Sequence, residues 1–154
     1  MFTFRLPKPG HFGTALATVS IGPLGPANFL GGASPLTANN TTTFYLPALG
    51  RKARFLALIA TTNTVPADAD GTILATCQKY SATALAQVAV TGNVDLEALT
   101  TKQATSTGPL AGASDATLTF QAADGVEVNV VNNSAAIDTQ PAGLSFTAVF
   151  ELLN

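Results

Sequence analysis

Leu144, Phe146, Ala148, Phe150 and Leu152 occupy every second position of one stretch, with Ser145, Thr147 and Glu151 between them. Side chains that alternate in character at period two mark a strand with one face buried and the other wet. Val126, Val128 and Val130 repeat the pattern against Glu127 and Asn129. This period constrains the fold more than any other feature. A chain that keeps it must pair its strands and cover one face of each sheet.

Further strand-like runs follow one another from residue 41: TTTFYL (41–46), RFLALIATT (54–62), TILATCQKY (72–80), LAQVAVT (85–91) and ATLTFQ (116–121). ATVSI (17–21) adds an eighth candidate. Turn residues punctuate them at Pro47 to Gly50, Pro66 to Gly71, Gly92-Asn93, Asp124-Gly125, Asn132-Asn133 and Pro141 to Gly143. Short strands with turn signals at this spacing predict an all-β fold, an antiparallel β-sandwich, and eight strands is the jelly-roll number. The stretch 54–60 is apolar on both faces, as a central strand covered on two sides would be. Phe44, Phe120, Phe146 and Phe150 fall at core-like alternating positions. VDLEALTTK (94–102), with Leu96 and Leu99 three apart, predicts one short helix.

The first forty residues read differently. Prolines at 7, 9, 23, 26 and 35, with frequent glycine, deny a long strand or helix. The expected organisation is a Pro/Gly-rich N-terminal arm over 1–40 and a sandwich body over 41–154. A chain of 154 residues buries enough surface for a core without staples, and with Cys77 as its one cysteine no internal disulfide can form. No run approaches the ~18 apolar residues of a membrane span. The opening MFTFRLPKPGHFG lacks the apolar centre of a secretory signal, so the Asn-x-Ser/Thr triplets at Asn39, Asn40 and Asn132 are not expected to carry glycans.

Charge is scarce and lopsided. Charged residues are 10% of the chain, against about 25% in ordinary soluble domains. Residues 1–67 hold Arg5, Lys8, Arg51, Lys52 and Arg54 and no carboxylate, for +5; residues 68–154 set Lys79 and Lys102 against nine acids, for −7. A chain with so little net charge suits a life in contact with other molecules. Nucleic acid is not the expected partner, because such binding needs a basic surface and the pI is about 5.1. Arg51, Lys52 and Arg54 at the mouth of one strand either guard an edge or dock on an acidic surface, where complementary charge steers encounter and fixes register.

Residues for catalysis are few. His11, the one histidine, stands in the arm with no nearby carboxylate to orient it, which leaves a triad or histidine metal cluster without material. Cys77 lies inside a strand and reads as a small buried hydrophobe. Asp68 and Asp70 before Gly71 resemble a fragment of a calcium loop without its third acid or its downstream Glu; a turn in which Asp accepts backbone N–H groups explains them better. Asp95 and Glu97 read as a solvated face. A sugar platform is the alternative open to any β-sandwich, with Tyr45 and Tyr80 as the only tyrosines and no tryptophan. Neither an enzyme nor a cofactor is expected.

The runs ARFLALIATTNTVPADADGTILATCQKY (53–80) and GVEVNVVNNSAAIDTQPAGLSFTAVFEL (125–152) are similar in style to small structural proteins of tailed-bacteriophage heads. They resemble the decoration, or cement, proteins of the outer capsid lattice. The resemblance implies a sandwich or jelly roll that clamps neighbouring capsomers, often as a homotrimer, with the major capsid protein or another virion subunit as partner. A tail, fibre or baseplate component is the neighbouring alternative. A stiff Pro-rich arm loses little entropy on docking. Phe2, Phe4, Leu6, Phe12, Leu24, Phe29 and Leu30 would then be anchors in shell grooves, with Arg5 and Lys8 setting register and Arg51, Lys52 and Arg54 continuing the basic surface.

Overall fold

The computed structural model of the chain describes residues 15–24, 40–99, 104–133, 137–139 and 141–153. Phe2, Phe4, Arg5, Leu6, Lys8, Phe12, Phe29 and Leu30 lie outside them, as do His11 and Lys102. In chain order the described elements are β1 (Leu16–Leu24), β2 (Asn40–Leu46), β3 (Ala53–Thr61), β4 (Ile73–Ser81), β5 (Ala86–Ala89), β6 (Val94–Asp95), β7 (Ala104–Thr107), α1 (Asp115–Leu118), β8 (Thr119–Phe120), β9 (Gly125–Asn132) and β10 (Leu144–Leu152).

Two antiparallel sheets face each other. The first has the order β1-β10-β3-β7, with β8 also on β3; the second has the order β2-β9-β4-β5, with β6 also on β4. The pairings nest: β1 with β10, β2 with β9, β3 with β7, β4 with β5. A single long hairpin has been rolled so that successive pairs fall in alternate sheets. This is the winding of a jelly roll, and the all-β antiparallel sandwich expected from the period-two pattern is what forms.

The alternation in each strand sets its inner face. Phe146, Ala148 and Phe150 of β10 meet Phe55, Leu58 and Ala60 of β3 in a fully buried layer. Val126, Val128 and Val130 of β9 lie between Phe44 and Leu46 of β2 and Ala75 and Cys77 of β4. Phe44 and Phe146 join the two layers with ring centroids 6.1 Å apart. Phe150 takes Phe55 and Phe120 edge-on, at 5.7 Å and 5.1 Å, the geometry that aromatic quadrupoles prefer.

Several local expectations are corrected. The candidate strand ATVSI is there and extends over the nine residues of β1, which pair with β10 although they fall within the segment assigned to the arm. Gly22 and Pro23 are accommodated there because β1 is an edge strand and its register shifts between Ile21 and Leu24. Gly22 has φ of 120°, and an added Cβ would sit 2.7 Å from the Leu144 carbonyl oxygen, so only glycine fits. The doubly apolar run 54–60 does not keep one phase. Val149 lies opposite Ala57 and Phe150 opposite Phe55, so a bulge at Leu56 returns Leu58 and Ala60 to the core and turns Ile59 outward.

No helix spans the described part of 94–102. Val94 and Asp95 pair with β4 instead, and the Asp95 side chain accepts the N–H of Glu97 at 2.9 Å. That local bond competes with a helical turn. The helical turn is α1, which overlaps the start of the run read as the strand ATLTFQ, while Thr119 and Phe120 of that run do pair with β3. Ser114 starts it by accepting the Thr117 N–H at 3.2 Å, and Leu118 anchors it in the core.

Candidate functional site

Strand direction gathers charged side chains at the two ends of the body. The start of β3 and the ends of β4 and β10 meet at one pole; the end of β3 and the start of β4 meet at the other, roughly 27 Å away at the usual rise per residue. At the first pole the Leu152 N–H donates to the Ala15 carbonyl at 2.8 Å, and the Leu153 N–H donates to the Lys52 carbonyl at 3.0 Å. Ala15, from which residues 1–14 lead off, is therefore only one chain segment away from Arg51 and Lys52. Both basic residues are exposed and make no ion pair among the described residues.

Arg54 differs from its two neighbours. Its guanidinium donates to Asp115 Oδ1 at 2.7 Å, in the first turn of α1, and in register it stands opposite Glu151. The structure thus splits the basic trio: Arg51 and Lys52 are free to meet a partner, while Arg54 is already neutralised within the chain.

The second pole collects Asp68, Asp70, Asp95, Glu97 and Asp138. Glu97 accepts the N–H groups of Asp68 at 2.6 Å and Ile73 at 3.2 Å, while Asp138 accepts that of Ala69 at 3.0 Å. Asp68 accepts the Asp70 N–H at 3.0 Å, the turn role read from the sequence. Glu97 is a staple of the 66–72 loop and not the solvated side chain expected of it. No group of three metal-ligating side chains occurs among the described residues.

Two titratable groups lie buried on the inward phase of β4. Lys79 is on the inward phase of β4, in line with Ile73, Ala75 and Cys77, and is 8% exposed. Its ammonium donates to the carbonyls of Ala116 and Thr119. Burial pulls its pKa below the ordinary lysine value, and the Asp124 carboxylate opposes that pull. Continuing the alternation past Cys77 would have placed Lys79 inside. Cys77 is fully buried, which pushes its thiol pKa up to about 12 against a small opposing effect of the Gln78 backbone; it is the inert hydrophobe expected.

The outer face of the second sheet carries a polar row. Tyr45 of β2, Glu127 of β9 and Gln78 of β4 lie in register across three strands. Tyr45 is 69% exposed, Glu127 only 3%. The Gln87 amide on β5 donates to Glu127 Oε2 at 2.7 Å. Burial raises the Glu127 pKa, and the Gln87 bond lowers it by less. Along the next row Tyr80 stands opposite Gly125, with its Cβ about 3.4 Å from where a Gly125 side chain would begin. The sequence reading put Glu127 and Asn129 on a wet face but did not gather them with Tyr45, Tyr80 and Gln78.

No family model matches this chain, and no curated protein proves similar to it.

Proposed function

We propose that the chain is a structural protein of a virus particle, a decoration protein that binds the outer capsid lattice and stabilises it. One observation carries this reading: Ala15, where the leading segment joins the body, lies across the end of β10 from the exposed and unpaired Arg51 and Lys52. The leading residues 1–14 add Arg5 and Lys8 and no acid. Of the described basic residues, Arg51, Lys52 and Arg54 lie at one pole, where Arg54 faces Asp115 and Glu151 and leaves Arg51 and Lys52 unpaired, and the other pole holds five of the nine carboxylates. Such a body presents one end to an acidic lattice or sister subunit and turns the other away. Jelly rolls recur in capsid proteins, which agrees with the reading by analogy of fold.

The test is attachment. A chain starting at Ala15 keeps β1 and with it the full first sheet, so it is the right truncation; one starting at residue 40 would strip β10 of a partner. The Ala15 variant is expected to fold and to lose most occupancy on purified capsids. Arg51→Glu with Lys52→Glu is expected to weaken attachment more at low salt than at high, since exposed charges are screened within about 8 Å at physiological ionic strength. Equal occupancy of all three proteins at low salt would refute the proposal.

A further inference from the structure

The polar row on the second sheet has a composition that attachment through the basic pole does not use. Its centre is the Glu127 carboxylate, held nine-tenths out of water on a face that looks outward, with one donor from Gln87. Around it are acceptors short of donors. Gln78 Oε1, on the strand beside Glu127, and Asn129 Oδ1, two residues along β9, are shielded from solvent and take no hydrogen bond within the described residues. Buried acceptors left this way cost free energy, which a ligand rich in hydroxyl donors would return. At the edge of the row the Tyr45 ring lies open. Tyr80 flanks the same strand from the other side, one row along, opposite Gly125. The two tyrosines are two strand spacings apart across the sheet and two residues apart along it, about 12 Å, a span that a short oligosaccharide bridges.

We propose that the outer face of the second sheet is a saccharide-binding site, in which a sugar ring stacks on Tyr45 and its hydroxyls donate to Glu127 and to the Gln78 and Asn129 amides once these shielded side chains rotate outward. The ligand class follows from the spread of acceptors. A lysine or arginine side chain from a protein partner donates from one small head group and reaches Glu127 with at most one neighbouring acceptor. A polyol carries donors around its whole rim and reaches all three. Aromatic faces pair with the C–H side of a sugar while planar carboxylates and amides take its edge. The proposal goes beyond attachment to a capsid and stands or falls separately from it.

The chain has two tyrosines and no tryptophan, so tyrosine emission reports on this face directly. The full chain is titrated with cellohexaose, maltohexaose and chitohexaose, and in a parallel arm with a Lys/Arg-rich peptide, by fluorescence and by calorimetry. A saturable response to at least one oligosaccharide is expected, weakened about tenfold by Tyr45→Ala and largely kept by Tyr45→Phe. Glu127→Gln, which retains an acceptor for the Gln87 amide, is expected to bind more weakly than the wild type. Leu16→Ala, on the first sheet, is expected to bind as the wild type does. No response to any of the three sugars, a response indifferent to Tyr45→Ala, or binding of the peptide alone would overturn the proposal.

Discussion

The Lys79 ammonium on β4 donates to the Ala116 carbonyl oxygen at 2.7 Å, tying the second sheet to the helical turn that flanks the first. A second bond reaches the Thr119 carbonyl at 3.0 Å, and the Phe120 ring lies 5.8 Å from the charge. The last turn of α1 has no basic residue of its own, so Lys79 supplies from across the core what its carbonyls need.

Lys79→Met keeps the aliphatic stem and removes the donor. Both carbonyls lose a charged partner, and the loss expected is about 1.5–3 kcal/mol, read from urea unfolding as a lower midpoint at unchanged slope. A variant as stable as the wild type would show that the ammonium does not hold α1 in place.

Much of this architecture is legible in the residues because period two is a local signal. The stretch 144–152 reads as a strand from its own side chains, and β10 has those bounds. Bulges are less legible. Gly22-Pro23 looks like a break until β10 is there to receive β1, and Leu56 looks like a doubly buried residue until Phe150 and Val149 set the register. The candidate sites lie further out of reach. Tyr45 and Glu127 are neighbours only because β2 pairs with β9, and no local pattern announces a pairing between strands so distant in the chain. The contact of Ala15 with the end of β10, and of that end with Lys52, is likewise a product of the roll.

The Glu127 carboxyl makes stability depend on pH in the direction opposite to a salt-bridged acid. Burial raises its folded pKa above the ordinary value. Between those two values the folded state binds more protons than the unfolded chain, so this group's contribution falls as pH rises through the window and is unfavourable above it. Glu127→Gln removes the titration and keeps the amide partner. The variant is expected to gain on the wild type at neutral pH and to lose that advantage as pH falls through the ordinary glutamate range. Chemical denaturation at a series of pH values measures it; parallel curves for the two proteins would remove Glu127 as the cause.

Cys77 is expected to be silent toward thiol reagents in the native protein. The reactive species is the thiolate, and with the pKa pushed up to about 12 by burial almost none exists at mild alkaline pH. Labelling with iodoacetamide at pH 8 should proceed only as fast as the molecule opens, and should become rapid in denaturant. Fast labelling of folded protein would mean that the β4 face is accessible at that position.

The split within the basic trio yields a contrast between stability and attachment. Arg54 and Asp115 form a pair whose side chains are 45% and 83% exposed. Such a pair is worth no more than about 1 kcal/mol, because water screens it and two long side chains must be ordered to make it. Arg54→Ala, Asp115→Ala and the double variant, compared by thermal or urea unfolding, should give a coupling energy within that bound, smaller at high salt. Arg51 and Lys52 have no such partner among the described residues, so their reversal to Glu should move stability by no more than about 0.5 kcal/mol. That outcome gives the capsid experiment its meaning, since a reversal that leaves the fold intact can weaken attachment only through the surface it changes. If the same reversal lowered the unfolding midpoint markedly, Arg51 and Lys52 would be structural residues, and the pole would lose its claim to be a docking surface.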